Sequence, residues 1–259
     1  MAPADDHIIR MSYPLAMEPY SKMIVSIMAK KVAMGIKYFI IEMPVGPTAK
    51  VHSMATAKHL ERKFEAIGKY FGIKVRVIKL RAIEPCGHGV GPALEARDVM
   101  RVLQRKEDRS RTLERTALRL SAYAASLTGK FSFRQAYKKG LEALNSGEAW
   151  QKMRDIMKAQ GARVKLDIDS EDLISSKVTT YDVKAAKRGN ITAVDNYAIT
   201  DLARNLGAPH YKHAGLFLRK RYKEKVDHGE VLFTMYTESE ERMELTKHAL
   251  GKVAVFAIK

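Results

Sequence analysis

Residues 37–78 carry the pattern that most constrains the fold. The apolar run at 37–43 is typical of a buried strand. Residues 54–71 place apolar side chains at helical spacing with charged residues between them, and Gly72 is positioned to end this helix. A second strand-like run follows at 73–78. Strand, helix and strand in this order predict a βαβ unit, which requires a parallel sheet with a right-handed crossover.

A mostly apolar helix with one polar stripe precedes this unit. Pro19 suits a first helical turn, and Gly35 suits a C-terminal stop. Between them, Lys22, Ser26 and Lys30 recur every four residues and therefore share one face. Such a stripe must meet water, a partner domain or a ligand. From the spacing alone, an amphipathic surface helix is the favoured interpretation. The apolar residues at core spacing are Ile24, Ile27 and Met28.

A glycine-rich turn at 85–91 follows the second strand and precedes a predicted helix at 92–105. Turns of this kind often hold phosphate. The spacing matches neither of the common nucleotide-binding fingerprints, so a tight strand-to-helix turn is the preferred interpretation. His88 lies in this turn and has the chemistry of a ligand or general base, although a lone histidine in such a turn is more often neither.

The rest of the chain is predicted to contain more helices and then a small α+β domain. Residues 162–176 are acidic and polar, and they favour a solvated linker because they lack the spacing of a calcium loop. Before this linker, helical patterns occupy 112–128, 132–145 and 147–159. After it come strand-like runs at 177–186, 214–220, 230–236 and 252–258, with helices at 196–206 and 238–249.

The charge balance is strongly basic, with 46 Lys and Arg against 29 Asp and Glu, hence +17. Such an excess attracts anions broadly, either nucleic acid or phosphorylated small molecules. Positive residues are spread along the chain, and the densest cluster, 219–225, favours a solvated turn between two strands over a nucleic-acid site. The single cysteine, Cys86, excludes an intramolecular disulfide and a Cys-rich zinc site.

The sequence predicts a cytoplasmic protein that does not enter membranes. No apolar run approaches the ~20 residues that a membrane-spanning helix needs. The first residues include Asp5 and Asp6 and do not resemble a signal peptide.

Seven short motifs follow one another over nearly the whole chain. They are Ala-Pro-Ala-Asp-Asp at 2–6, Ser-Ile-Met-Ala-Lys-Lys at 26–31, Met-Pro-Val-Gly-Pro-Thr-Ala-Lys-Val at 43–51, Gly-Pro-Ala-Leu-Glu-Ala-Arg-Asp-Val at 91–99, Gln-Gly at 160–161, Val-Asp-Asn-Tyr-Ala-Ile at 194–199 and Leu-Gly-Ala-Pro at 206–209. In this order they resemble the nucleoside phosphorylase family that contains thymidine phosphorylase and archaeal AMP phosphorylase. Each motif is weak alone, and the ordered set carries the resemblance. The segments at 43–51 and 91–99 are more similar to the archaeal branch than to the bacterial one.

The resemblance implies phosphorolysis of nucleoside 5′-monophosphates, AMP first and also CMP or UMP, to free base and ribose 1,5-bisphosphate. It implies that Ser26 and Lys30 read the base, and that Lys30 stabilises the negative charge of the leaving base. Asp6 and Arg10 would approach the base and ribose, and the assignment of Arg10 assumes a gap of one or two residues. Inorganic phosphate would be the co-substrate, with no cofactor required.

The resemblance also implies a monovalent cation, held by backbone carbonyls and one acid. The matching positions are Cys86, Gly89 and Asp98. The chain departs from the family at Arg81, where an aspartate is usual.

The family's phosphate-gripping motif and proton donor lie upstream of the Ala-Pro-Ala-Asp stretch, which begins here at residue 2. The chain is therefore expected to correspond to the C-terminal part of the enzyme, with no assured catalytic residue of its own. Its expected organisation is α/β, with a parallel-sheet domain, an N-terminal substrate-reading helix and a small hammerhead-like α+β domain. The predicted segments are a piece of a helical lobe at 1–36, the α/β domain at 37–161, the linker at 162–176 and the C-terminal domain at 177–259.

The expected partners are AMP and phosphate, together with either further copies of the chain or a separate upstream half. Binding to nucleic acid is not expected. Two alternatives stay open at this point. One is a thymidine or pyrimidine nucleoside phosphorylase, and the other is a non-catalytic basic module for nucleic-acid binding or assembly.

Overall fold

The computed structural model describes four ranges of the chain, 20–162, 169–175, 177–251 and 253–259. The chain divides into two compact units, one formed by 1–81 with 120–136 and the other by 82–119 with 137–259. The sequence-based division into four segments stays a prediction. Within the described ranges, no helix is long and apolar enough to cross a membrane.

The first unit contains the predicted βαβ motif. Strand β1 (Tyr38–Val45) pairs in parallel with β2 (Lys74–Arg81), in register from Tyr38 opposite Lys74 to Val45 opposite Arg81. Helix α2 (Met54–Tyr70) connects them, and its first turn is capped by the Ser53 side chain, which accepts a hydrogen bond from the Thr56 N–H. The parallel pairing confirms the βαβ prediction. The helix buries Ala57, Leu60 and Phe64 in the core that it shares with the strands.

Helix α1 (Tyr20–Ala33) packs on the same core. Ile24 and Met28 are each 2% exposed, as their spacing predicted. Burial of two such side chains contributes several kcal/mol, at roughly 1.5–3 kcal/mol each, and fixes which face of α1 points away from the core. Val25, about 100° around the helix from Ile24, is 64% exposed.

Two antiparallel sheets form the framework of the second unit. The first has the order β3-β6-β8-β4 and the second has the order β7-β5-β9. The glycine-rich turn itself supplies β3, so this turn is part of the four-stranded sheet. The strands are β3 (Gly89–Val90), β4 (Thr179–Lys184), β5 (Gly189–Val194), β6 (Gly215–Leu218), β7 (Lys225–Val226), β8 (Val231–Thr237) and β9 (Phe256–Ile258).

The helices predicted after the glycine-rich turn are all present, with ends within about two residues of the expected positions, the usual precision of helix boundaries. The last two helices, at 196–206 and 240–250, pack on the sheets through a core that includes Leu202, Leu216 and Met243. The helices are α3 (Pro92–Leu103), α4 (Arg111–Leu127), α5 (Phe133–Asn145), α6 (Glu148–Ala159), α7 (Asn196–Leu206) and α8 (Glu240–Leu250).

Residues 169–175, the described part of the acidic segment, contact α3, while Glu171 and Asp172 stay exposed. Ser170–Leu173 forms a 3-10 helix in which Ser170 is fully buried. Glu171 accepts two hydrogen bonds from Arg101, at 2.7 and 2.8 Å. The charge of Glu171 is therefore matched by Arg101 on α3, and that of Asp169 by Lys106, pairings that composition does not reveal.

The pair formed by Arg101 and Glu171 makes stability depend on pH. The hydrogen bond from Arg101 lowers the pKa of Glu171 in the folded protein. A lowered pKa stabilises the fold above the unfolded value of about 4.3, and this contribution is lost as pH falls through the folded pKa. We expect Glu171→Gln to cost about 1 kcal/mol at neutral pH, since the side chain is half exposed. In urea unfolding, the difference from wild type should shrink as the pH falls below about 4.

The matched control is Asp155→Asn. Asp155 is 53% exposed and lies 3.9 Å from Lys152, so its removal should change stability little at any pH. A Glu171→Gln difference that stays constant from neutral to acidic pH would contradict the pairing.

Candidate functional site

Two of the four predicted substrate-binding residues lie in the described ranges. Ser26 and Lys30 are one turn apart on α1, where Ser26 is half-buried and Lys30 is exposed. Lys31 is directed elsewhere, with its ammonium 5.7 Å from the centroid of the Phe39 ring. Asp6 and Arg10 fall outside the described residues. The role of all four in substrate binding stays a prediction.

The glycine-rich turn closes around the carboxylate of Asp98. This residue is 1% exposed, and its Oδ2 accepts hydrogen bonds from the N–H groups of His88, at 2.5 Å, and Gly89, at 2.7 Å. A Cβ at Gly87 would lie 2.6 Å from Asp98 Oδ2, and one at Gly89 would lie 2.4 Å from the Leu94 carbonyl oxygen. Glycine is therefore required where the turn approaches α3, because a side chain would push the backbone off the carboxylate.

A cavity of about 350 Å³ lies beside this carboxylate, bounded by the turn and by residues of α3, α4 and α7. Cys86, Gly89 and Asp98, the three positions predicted to hold a cation, all line it. Asn196 and Thr200 line the side contributed by α7. The sequence did not assign these two residues to the cavity, because they lie about a hundred positions from the turn, although Asn196 belongs to the motif at 194–199.

The donor set at this cavity fits a small cation. Asp98 Oδ1 is buried and, among the described residues, has no hydrogen-bond partner, which is costly for a carboxylate oxygen. The Cys86 carbonyl accepts one hydrogen bond, from Ser110, and keeps a second lone pair. Nowhere in the described ranges do three or more His, Cys, Asp or Glu side chains group as metal ligands. A cation here would thus be held by one carboxylate and backbone carbonyls, and this assignment stays a prediction.

Arg221 holds the glycine-rich turn from the C-terminal side. Its Nη1 donates to the Gly87 carbonyl at 2.6 Å, its Nη2 to the Pro85 carbonyl and its Nε to Glu84 Oε1 at 3.2 Å. Glu84 also accepts a hydrogen bond from the Tyr222 N–H at 2.8 Å. The Arg221 side chain is only 12% exposed. The basic cluster at 219–225, expected to be a solvated turn, therefore contains a largely buried arginine that fixes the candidate site.

Strand β6 contacts the same turn at His88. The His88 carbonyl accepts from the Leu218 N–H at 2.7 Å, and His88 Nδ1 lies 2.9 Å from the Leu218 carbonyl. The imidazole stacks on Phe217 with 5.5 Å between ring centroids. These contacts give His88 a structural part, in agreement with the preferred interpretation from sequence. They also show that β6, a strand of the four-stranded sheet, positions the turn.

We expect Arg221→Ala to lower the free energy of unfolding by about 3 kcal/mol, the loss typical when one partner of a buried ion pair is removed. The substitution deletes hydrogen bonds to two carbonyls and leaves Glu84, whose side chain is 18% exposed, without its cation. Arg188→Ala is the control, because Arg188 and its partner Asp227 are 85% and 77% exposed. It should cost less than about 1 kcal/mol in the same urea titration. Equal losses in the two variants would contradict the structural role of Arg221.

Comparison with protein families identifies the C-terminal part of the chain. Residues 190–256 match the pyrimidine nucleoside phosphorylase C-terminal domain. This range runs from β5 to the start of β9, and it includes α7 and Arg221.

Curated relatives align with nearly all of the chain. A protein of Bradyrhizobium sp. (strain ORS 278) named "Putative thymidine phosphorylase" is 39% identical over 237 residues, which are 92% of this chain and 45% of that protein. Its namesake in Bradyrhizobium diazoefficiens is 38% identical over 258 residues, or 100% of this chain and 49% of the relative. An "AMP phosphorylase" of Methanococcus maripaludis (strain C5) is 36% identical over 245 residues, which are 94% of this chain and 47% of the relative.

The chain therefore spans about half the length of the curated relatives that it matches. The matches confirm the relationship to nucleoside phosphorylases that the ordered motifs predicted. Relatives with two different names match at similar identity, so the similarity does not select the substrate.

Proposed function

We propose that this chain, a homologue of the nucleoside phosphorylases, forms the base-binding and C-terminal half of an enzyme that phosphorolyses nucleoside 5′-monophosphates. Inorganic phosphate attacks the anomeric carbon of AMP, the bond from that carbon to the base breaks, and ribose 1,5-bisphosphate and the protonated base leave. CMP and UMP would react in the same way. The observation that carries the proposal is the alignment with named phosphorylases over 92–100% of the chain.

Helix α1 is proposed to read the base. Burial of Ile24 and Met28 fixes the helix on its core, so its polar residues have defined positions. The ammonium of Lys30 would stabilise the negative charge that gathers on the base as it leaves. Ser26, one turn earlier, would orient the base, and Asp6 and Arg10 would approach the base and ribose.

AMP is preferred as the substrate, and thymidine is the second candidate. The preference for AMP rests on the segments at 43–51 and 91–99 and on the net charge of +17, which attracts a nucleotide more strongly than an uncharged nucleoside. Thymidine is supported by the names of the Bradyrhizobium relatives.

Asp98 and the carbonyls of Cys86 and Gly89 are proposed to hold a monovalent cation beside the cavity. When bound, the cation would supply a fixed positive charge that pairs with the buried Asp98 carboxylate. The contacts of Arg221 to Gly87 and Pro85 would keep the turn in the conformation that receives it.

A separate upstream half is proposed to supply the phosphate site and to complete the first unit. In the described ranges, β1 pairs only with β2 apart from a single bridge between Val45 and Val51. Parallel sheets normally contain more strands and are covered on both faces, since open edges present unpaired backbone groups. The two strands therefore offer edges on which further strands could add.

The test compares the two candidate substrates in the completed enzyme. The chain is combined with the preceding half of a relative, such as the Methanococcus maripaludis AMP phosphorylase, and complex formation is checked by gel filtration. Release of adenine from AMP and of thymine from thymidine is then followed by chromatography, with and without phosphate. Phosphate-dependent release from AMP supports the proposal, turnover of thymidine alone favours the second candidate, and release without phosphate contradicts phosphorolysis.

A further inference from the structure

Three arginine side chains surround one buried aromatic ring in the second unit. The guanidinium carbons of Arg97, Arg101 and Arg219 lie 4.6, 5.6 and 4.8 Å from the centroid of the Phe217 ring. Phe217 is 6% exposed and lies in a small apolar cluster with Leu94. Like charges gathered this closely in a partly desolvated place repel one another unless anions compensate them.

Arg101 has its compensating anions. Its guanidinium makes the two hydrogen bonds to Glu171, and its Nη1 lies 3.3 Å from Asp108 Oδ2. Glu171 is also engaged by the Ser170 hydroxyl. Of the three arginines, only Arg101 makes hydrogen bonds to Glu171.

Arg97 makes no hydrogen bond or close ion pair with a carboxylate among the described residues, although its charge acts on Glu171 and helps to lower the pKa of that carboxyl. The residue is 7% exposed, and its Nε is enclosed and has no acceptor among the described residues. Its guanidinium lies near the rings of Phe217 and Tyr236, the second with its centroid 5.9 Å from the guanidinium carbon. Rings attract a cation, but a buried N–H without an acceptor still costs free energy and calls for an explanation such as a bound ion.

Arg219 is the member of the cluster that is exposed to solvent. Its Nε donates to the Thr234 hydroxyl at 3.3 Å. That hydroxyl donates in turn to Asp182 Oδ1 at 2.7 Å, so the carboxylate is reached only through Thr234. A buried arginine and an exposed arginine therefore meet at one ring without an ion pair to either among the described residues.

We propose that Arg97 and Arg219 form a binding site for a tetrahedral oxyanion of the phosphate class beside Phe217. A planar guanidinium presents a fork of N–H donors that matches the oxygens of such an anion and stays charged at any physiological pH. Bound there, the anion accepts hydrogen bonds from Arg97 and relieves the repulsion within the cluster. The site is distinct from the phosphate site of the phosphorolysis reaction, and it does not rest on the proposed function.

The test uses the 259-residue chain and inorganic phosphate. Thermal unfolding is measured against phosphate concentration, with chloride added to hold the ionic strength constant. An anion that binds only the native state raises the unfolding midpoint, and the stabilisation grows with the logarithm of the ratio of anion concentration to Kd. We expect phosphate to raise the midpoint of the wild type and Arg97→Met to weaken the apparent affinity by about tenfold or more, the effect of losing a charged hydrogen bond. Methionine keeps the apolar stem and removes only the donors.

Arg219→Met is the second variant and should also weaken the phosphate effect. Its side chain is exposed, so it tests the site even if Arg97→Met fails to fold. Arg204→Met is the control, because Arg204 is exposed and lies 3.7 Å from Asp201, and it should respond to phosphate like the wild type. General salting effects of phosphate act on every variant alike.

Ribose 5-phosphate in a parallel titration distinguishes a phosphoryl ester from free phosphate as the preferred anion. If the apparent affinity for ribose 5-phosphate is higher than that for phosphate, the preferred ligand is a phosphoryl ester. If it is lower, the preferred ligand is the free anion. A wild-type midpoint that does not respond to either compound would overturn the proposal. Responses of Arg97→Met and Arg219→Met equal to that of the wild type would overturn it as well.

Discussion

The 259-residue chain alone is expected to release no adenine from AMP above the uncatalysed background. Phosphorolysis needs the phosphate held in line with the leaving base, and such alignment supplies about 7–11 kcal/mol of barrier lowering in well-oriented systems. The family's phosphate-gripping motif is not present in these residues. Phosphate would have to attack from solution, without orientation and without neutralisation of its charge.

Addition of the upstream half should restore the reaction. We expect this half to associate with the first unit, where β1 and β2 offer sheet edges, and adenine release should then require phosphate. The measurement is chromatography of the free base with each half alone, with both halves, and with both halves in phosphate-free buffer.

Robust turnover by the isolated chain would show that the catalytic phosphate site has been misplaced. The glycine-rich turn at 87–91 and the cluster around Arg97 would then be the places to test. Loss of that turnover in Arg97→Met would assign the phosphate of the reaction to the arginine cluster. The titration of the isolated chain with phosphate measures binding without turnover, so the two proposals can fail independently.

Local patterns in the sequence predicted most helices and the parallel pair of strands. Periodicity and end signals placed α7 at 196–206, as in the structure, because its apolar residues repeat at helical spacing and Gly207 ends it in a left-handed conformation. The apolar runs on either side of α2 predicted β1 and β2 because both strands are regular and long. Strands β3, β5 and β7 were not predicted. Strands β3 and β7 have only two residues each, which carry no alternation, and the pairing of β5 shifts register between Ile191 and Ala193.

The parts of the candidate site that depend on distant residues could not be read from local patterns. Arg221 contacts Gly87 and Pro85 across more than 130 positions, and nothing in the basic run around it distinguishes this arginine from its neighbours. The cluster at Phe217 joins α3 to β6 in the same way. The carboxylate of Asp98 was identified only through its place in a family motif, and the structure adds its burial and its two backbone hydrogen bonds.

Lys30→Ala in the completed enzyme should lower kcat/KM by about a hundredfold or more, the loss expected when one preorganised charge donor is removed from a developing anion. Lys30 is exposed on α1, whose opposite side is anchored by Ile24 and Met28, so truncation of its side chain should leave the fold unchanged. Because the charge on the base develops during bond breaking, the effect should fall on kcat more than on KM.

Lys31→Ala is the matched control, with the same chemistry removed from the neighbouring position. Lys31 points about 100° away around the helix, and its ammonium lies over the Phe39 ring at 5.7 Å. Lys31→Ala therefore removes a cation–π contact worth about 0.5–1 kcal/mol of folding stability. We expect it to cause no loss of transition-state stabilisation. Steady-state kinetics of both variants with AMP, at saturating phosphate, separate the two positions. Equal losses of kcat/KM would mean that general positive charge near α1, and not the placement of Lys30, acts on the leaving base.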